Sequence, residues 1–285
     1  MKKSTIAALA LATAGACAFC ACSGRGESTP DKTTVTTTES DGTISFTRTS
    51  NSSLYTLPNT AKLFGTDSDI LFSGRTDMLL PDEYSGTTPM ALRDSVMKTA
   101  FGSTGADFKT SSHAFFEKCV AETGYDNFEA APEGTQLPKS GMYGEAIVSG
   151  FIEYATPEIM SYGILKYIYA PGAAHGMTTT AYVNFDFDSG KVVTLNDIFT
   201  AEGLKALPDI LKKQAKSMES AIGPTELSAL PSGDTFCFGN NYDIIFVYQP
   251  YEIASYAQGT IRLSLPTYDL SQYMTPYGKK LFNLI

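Results

Sequence analysis

The sequence predicts an α+β fold, a mainly antiparallel sheet with helices packed against it, in two subdomains. Three observations predict it. Strand patterns follow one another through short turns, as in Thr178–Asp188, Ser189-Gly190 and Lys191–Leu195. Helical stripes fall in separate blocks instead of alternating with each strand. The 285 residues are 43% hydrophobic and 12% aromatic, enough to build a sizeable core without disulfides.

The elements follow in order. Alternation begins at Ile44-Ser45-Phe46-Thr47, and a second strand pattern spans Asp69–Leu80. Thr88-Pro89 suits a helix start, with Leu92, Val96, Met97 and Ala100 at helical spacing behind it. A second helix is expected over Ser112–Thr123, with Phe115, Phe116, Cys119 and Val120 on one face and Gly124 as its stop. Residues 126–144 hold three glycines and two prolines and read as a long loop or a subdomain boundary. Strands are expected from Ala146 to Ile152 and from Tyr162 to Tyr169, the latter carrying three tyrosines. A turn at Pro171-Gly172-Ala173-Ala174-His175-Gly176 follows.

In Thr178–Asp188, Ala181, Val183, Phe185 and Phe187 face one way and Tyr182, Asn184, Asp186 and Asp188 the other, the pattern of a half-buried strand. Asn196 is placed to cap a short helix. Leu204, Leu207, Leu211, Ala215, Met218 and Ile222 form a helical stripe ended by Gly223-Pro224, with a kink or restart expected at Pro208. The last strands are Asp243–Tyr248 and Thr260–Leu265, and Phe282, Leu284 and Ile285 give an apolar tail fit to dock.

The N-terminus reads as an address. Lys2 and Lys3 precede an uncharged, Ala- and Leu-rich run from Ile6 to Cys22, the pattern of a secretory signal. Cys22, preceded by Ala21 where the run ends, is the expected lipidation site, with Cys17 the runner-up. Residues 1–21 are then a lipoprotein signal peptide, and a lipidated Cys22 holds the protein at a membrane surface of the cell envelope. Of the sixteen residues from Ser28 to Thr43, nine are Ser or Thr, so 22–42 reads as a flexible tether. The folded part divides into a companion subdomain over 43–155 and a C-terminal domain over 156–285. Cys119 and Cys237 have the composition for one disulfide, but Cys119 lies on an apolar helix face and reads as a buried thiol.

The formal charge of -9 becomes (21 - 2) - 30 = -11 once Lys2 and Lys3 are removed. Nucleic-acid readers carry a basic footprint, so that partner is not expected. Two histidines cannot build a His-rich metal site, and no phosphate-cradling loop, nucleophile elbow or cysteine metal pair occurs. No metal or cofactor is expected.

His175, between glycines, can donate to a ligand or to the local backbone, with Gly172 and Gly176 supplying positive φ. Tyr251, Glu252 and Tyr256 form a second candidate set, as a sugar or cation surface or as a structural corner. Asp186 and Asp188, about 6.8 Å apart on one strand face, meet the spacing of a glycosidase pair, as every Asp-x-Asp strand does. They are the alternative catalytic candidates. His113 has no evident partner.

Two segments carry a resemblance. They are Tyr169–Phe199 (YAPGAAHGMTTTAYVNFDFDSGKVVTLNDIF) and Tyr242–Leu270 (YDIIFVYQPYEIASYAQGTIRLSLPTYDL). Together they resemble a bacterial domain of unknown function that forms the extracytoplasmic C-terminal part of the lysozyme-sensing anti-sigma-V factor and accompanies some peptidoglycan N-deacetylases. The chain departs from that pattern at Pro171, Ala173, Ser189 and Ser255. Neither a sigma-binding segment before the apolar run nor a deacetylase catalytic domain is expected, so the resemblance is read as reaching only the shared module. It implies a non-enzymatic lipoprotein that binds an envelope partner, a lysozyme-like cationic glycosidase or peptidoglycan. A carbohydrate-active enzyme is the alternative.

Overall fold

The computed structural model describes residues 32–33, 46–57, 70–81, 90–103, 106–124, 128–131, 143–218, 227–240 and 242–284. The signal peptide, Cys17, Cys22, all of the tether except residues 32–33, the Thr88-Pro89 helix start and the Ile222 and Gly223-Pro224 helix end lie outside the described residues. So does most of the 126–144 segment.

An eight-stranded sheet dominates. It is built from β1 (Lys32–Thr33), β2 (Phe46–Leu57), β3 (Ile70–Pro81), β4 (Glu129–Ala130), β5 (Tyr143–Ala155), β6 (Ile159–Tyr169), β7 (Met177–Asp186) and β8 (Lys191–Val192). The order is β1-β2-β3-β5-β6-β7-β8, with β4 on β2. Every pairing is antiparallel except β3 with β5. A parallel pair needs a crossover, and α1 (Met90–Phe101) and α2 (Phe108–Ala121) lie within it. The expected fold class therefore holds. Strand pairing crosses residue 155, because β5 and β6 form one hairpin, so the two halves of the chain share this sheet.

Both helices pack on one face of it. Leu92, Val96, Met97 and Ala100 of α1 bury against Met78, Val148, Tyr162, Ile164, Val183 and Phe185. Phe116, Cys119 and Val120 of α2 bury against Tyr55, Leu57, Phe72 and Ala146. The second helix starts earlier than expected, at Phe108, because the Asp107 carboxylate caps the Thr110 N–H.

A second sheet, order β11-β10-β9, holds β9 (Phe236–Gly239), β10 (Asp243–Tyr248) and β11 (Ile261–Pro266). On one face it packs with α3 (Leu195–Ile198), α4 (Ala201–Ser217), α5 (Thr267–Leu270) and α6 (Pro276–Leu281), in a core that includes Phe238, Phe246, Leu207, Leu211, Leu270 and the tail residue Phe282. One expectation is corrected here and another narrowed. Thr194, not Asn196, caps α3, through a capping box with Asp197. Of the two outcomes expected at Pro208, the restart does not occur: the fourth helix is continuous from Ala201 to Ser217, with Leu207, Leu211 and Ala215 seated on that core on both sides of the proline.

The two sheets meet through β9, which lies over β6 and β7. Ser161 Oγ donates to Asn184 Oδ1 (2.5 Å), Asn184 Nδ2 to the Phe236 carbonyl (2.8 Å), and the Phe238 N–H to Ser161 Oγ (2.8 Å). Beside this bridge Arg262 donates to Tyr182 Oη (2.7 Å) and Glu153 Oε1 (2.6 Å). The strand expected to be half-buried is thus covered on both faces at its C-terminal end, where Val183, Asn184, Phe185 and Asp186 are all buried.

Candidate functional site

Four of the sequence candidates meet at one corner. His175 lies in the β6–β7 turn, while Tyr251, Glu252 and Tyr256 lie in the loop from β10 to β11. Gln249 joins the two segments. Opposite its β6 partner Leu165, Thr180 presents a backbone edge that β8 does not reach, since β8 pairs only with Phe185 and Asp186. There the Thr180 N–H donates to Gln249 Oε1 and Gln249 Nε2 donates to the Thr180 carbonyl, both at 2.8 Å. The amide stands in for a missing strand and pins the loop beside the turn.

Glu252 shapes the loop. Its Oε1 accepts the Ser232 N–H (2.7 Å) and its Oε2 the Gln249 N–H (2.5 Å). This is the structural corner among the two readings of Glu252. Tyr251 adopts φ +73, left-handed backbone that costs a non-glycine residue energy, and the residue is 57% exposed.

His175 sits between the two tyrosines. Its ring stacks on Tyr256 with centroids 3.9 Å apart, and Nε2 lies 3.2 Å from the Tyr251 hydroxyl. Nδ1 lies 3.1 Å from the Gly176 carbonyl, which also accepts from the Tyr256 hydroxyl (2.7 Å). A carbonyl only accepts, so Nδ1 carries the proton, and in the neutral ring Nε2 accepts from Tyr251. Gly172 takes φ +79 as expected. Gly176 does not have positive φ; it is needed because a Cβ there would meet the Tyr167 ring at 2.3 Å. Thr178, Pro250 and Tyr256–Thr260 line an adjoining depression of about 270 Å³. The result is a tilted aromatic trio beside a shallow cleft, with hydroxyls at its rim.

The other candidates lie elsewhere. Asp186 is 4% exposed, and its carboxylate accepts from the Asp188 N–H, the Ser189 N–H and hydroxyl, and the Tyr277 hydroxyl. Asp188 is exposed in the turn that follows, so the two carboxylates do not face a common cleft. His113 does have partners: Nδ1 is 3.2 Å from the hydroxyls of Ser53 and Tyr55, and Nε2 is 3.4 Å from Glu117. Cys119 and Cys237 are free and buried, and burial pushes their thiols up to about 11 and about 12. Among the described residues no group of His, Cys, Asp or Glu side chains is placed to hold a metal ion, and no helix is long and apolar enough to cross a membrane.

Sequence reasoning missed Tyr167, Gln249 and the Ala257–Thr260 lining. Tyr167 was legible only as one of three tyrosines in a strand. It also missed a second depression of about 420 Å³, flanked by the exposed Tyr242 and Tyr268 near the C-terminus.

No curated protein matches the sequence. Two crystal structures share the fold. A member of the DUF3298 family from Bacteroides fragilis superposes with a TM-score of 0.62 at 17% identity, covering 85% of this chain and 98% of its own. A DUF3298 family protein from Pseudomonas aeruginosa gives 0.55 at 13%, covering 83% and 97%. Residues 196–268, from within α3 to the start of α5, match the family model described as protein of unknown function (DUF3298). That matched stretch contains Tyr251, Glu252 and Tyr256 but not His175.

Proposed function

We propose that the protein is an exported, lipid-anchored binding module of the cell envelope, akin to the ectodomain module of the anti-sigma-V factor and of peptidoglycan deacetylases. In this reading its His175–Tyr251–Tyr256 corner receives a peptidoglycan-type glycan. One observation carries the choice of ligand: an exposed tyrosine in left-handed backbone is held by His175 beside a second stacked ring and a cleft. Sugar rings lay their C–H faces on aromatic rings and hydrogen-bond at the rim, and this corner offers both surfaces. A basic lysozyme-like partner would want free carboxylates here, and both oxygens of Glu252 are engaged by backbone N–H groups. The same engagement, with that of Asp186, favours binding over glycan cleavage.

Calorimetric titration of the full chain with soluble peptidoglycan fragments tests this. Saturable binding weakened about tenfold or more in Tyr251→Ala, with no release of shorter fragments, is the expected result. Co-elution with lysozyme and no heat with fragments would replace the glycan with the protein partner.

A further inference from the structure

We infer that the corner is one end of a longer lane and that the ligand is an extended neutral glycan, lying also along Tyr167, Tyr169 and Tyr143. This deepens the glycan reading above and rests on it.

The lane follows from strand register. Tyr167 and Tyr169 are two residues apart on β6, so they share a face and lie about 6.8 Å apart along the strand. Glu145 pairs with Tyr169 and Ile147 with Tyr167, so this is also the face of Tyr143, Glu145 and Ile147 on β5. It is opposite to the face that packs Ala146, Val148 and Ile164 against the helices.

Contacts join these rings to the corner without a break. Tyr143 and Tyr169 meet edge to face with centroids 6.2 Å apart. The Tyr169 hydroxyl donates to the Ala173 carbonyl (3.1 Å), within the turn that holds His175. The Tyr167 ring covers Gly176, whose carbonyl receives both His175 and Tyr256. Thr178, paired with Tyr167 on β7, lines the cleft with Tyr256. Tyr143, Tyr167, Tyr169 and Tyr256 are all half-buried, with ring surface left to a ligand.

Charge selects the occupant. The formal charge of the chain is -9, yet on this face the acid Glu145 is paired with Arg75 at 2.9 Å, and beyond it Glu252 is engaged by backbone. The lane presents aromatic faces and hydroxyls with its charges paired, which suits an uncharged polymer of sugar rings and offers little to a basic protein.

The experiment compares β-1,4-linked N-acetylglucosamine disaccharide and hexasaccharide on the full chain by calorimetry. The hexasaccharide is expected to bind about tenfold or more tighter, because each added ring contact contributes a factor of about 2 to 10. Tyr143→Ala and Tyr169→Ala should each remove about threefold or more of hexasaccharide affinity and leave the disaccharide unchanged, while Tyr251→Ala weakens both. Tyr169→Phe, which keeps the ring and loses the Ala173 bond, should retain most of the length dependence and so separates a loosened turn from a lost sugar contact. Equal affinity for both lengths, or lane variants without effect while Tyr251→Ala still acts, overturns the lane and leaves the corner standing. No binding of either oligosaccharide overturns both. Lysozyme binding that falls in the lane variants would assign the surface to a protein and likewise overturn the inference.

Discussion

Asp186 is a carboxylate taken almost wholly out of water, and it is held there by four donors. Ser189 contributes its hydroxyl (2.6 Å) and its N–H (3.4 Å), Asp188 its N–H (3.0 Å) and Tyr277 its hydroxyl (2.8 Å). These bonds close the β7–β8 turn and pin α6 to it. Burial, and after it the Asp186 hydrogen bond, raise the Tyr277 phenol above its ordinary range. Truncation would orphan all four donors, so Asp186→Ala is expected to destabilise the fold by about 2–4 kcal/mol in urea denaturation while glycan titration of the folded variant is unchanged. An unchanged midpoint would refute the structural role, and lost binding at full stability would return Asp186 to the candidate site. Alternation along β7 placed this residue on the face opposite Val183 and Phe185, which is right. It could not say that the face is covered, because the cover is β9, some fifty residues further on. His175, Tyr251 and Tyr256 were legible as separate motifs for a related reason: glycine-flanked turns and tyrosine-rich loops stand out, but their meeting depends on Gln249 capping a strand edge.

At the scale of elements, the join between the sheets is a polar one in an apolar setting. Ser161 and Asn184 satisfy each other and both engage β9, through the Phe238 N–H and the Phe236 carbonyl. Removing either side chain strands a buried partner, so Ser161→Ala and Asn184→Ala should each cost about 1–3 kcal/mol. Because the second removal has less left to break, the double variant should cost less than their sum by about 1 kcal/mol or more. Strict additivity in a double-mutant cycle would show that the bridge does not act as a unit. The sequence marks β7, β10 and β11 clearly, since each alternates or is strongly apolar. The strand Phe236–Gly239 escaped notice because four residues, buried throughout, carry no period. The short helices α5 and α6, of four and six residues, span too few turns to show a helical period. At Pro208 local preference pointed to a break, and burial of Leu207, Leu211 and Ala215 along one side overrode it.

Across the whole molecule, the β5–β6 hairpin ties the companion half to the C-terminal half, and β9 ties the small sheet to the large one. A perturbation that acts in both halves should therefore unfold them together, and alkali is such a perturbation. Cys119 and Tyr55 lie in the core under α2, and Cys237 lies at the join of the sheets. Burial is the first cause of the upward shift in all three, from 9.0 to about 11 for Cys119, from 10.0 to about 12 for Tyr55 and from 9.0 to about 12 for Cys237. For Cys237 the neighbouring Arg262 opposes burial. Each group holds its proton longer in the folded state than in the unfolded one. The unfolded chain therefore binds fewer protons between the two values, and stability must fall as pH rises through that window. Urea midpoints are expected to be flat near pH 8 and to drop between about 9 and about 12, with fluorescence and circular dichroism tracing one coincident transition. In Cys237→Ala, which removes one of the three titrations, the alkaline drop should be shallower even if the variant is less stable at pH 8. A midpoint that holds steady from pH 8 to 11 would sink the argument from burial, and two separated transitions would show that the shared sheet does not couple the halves.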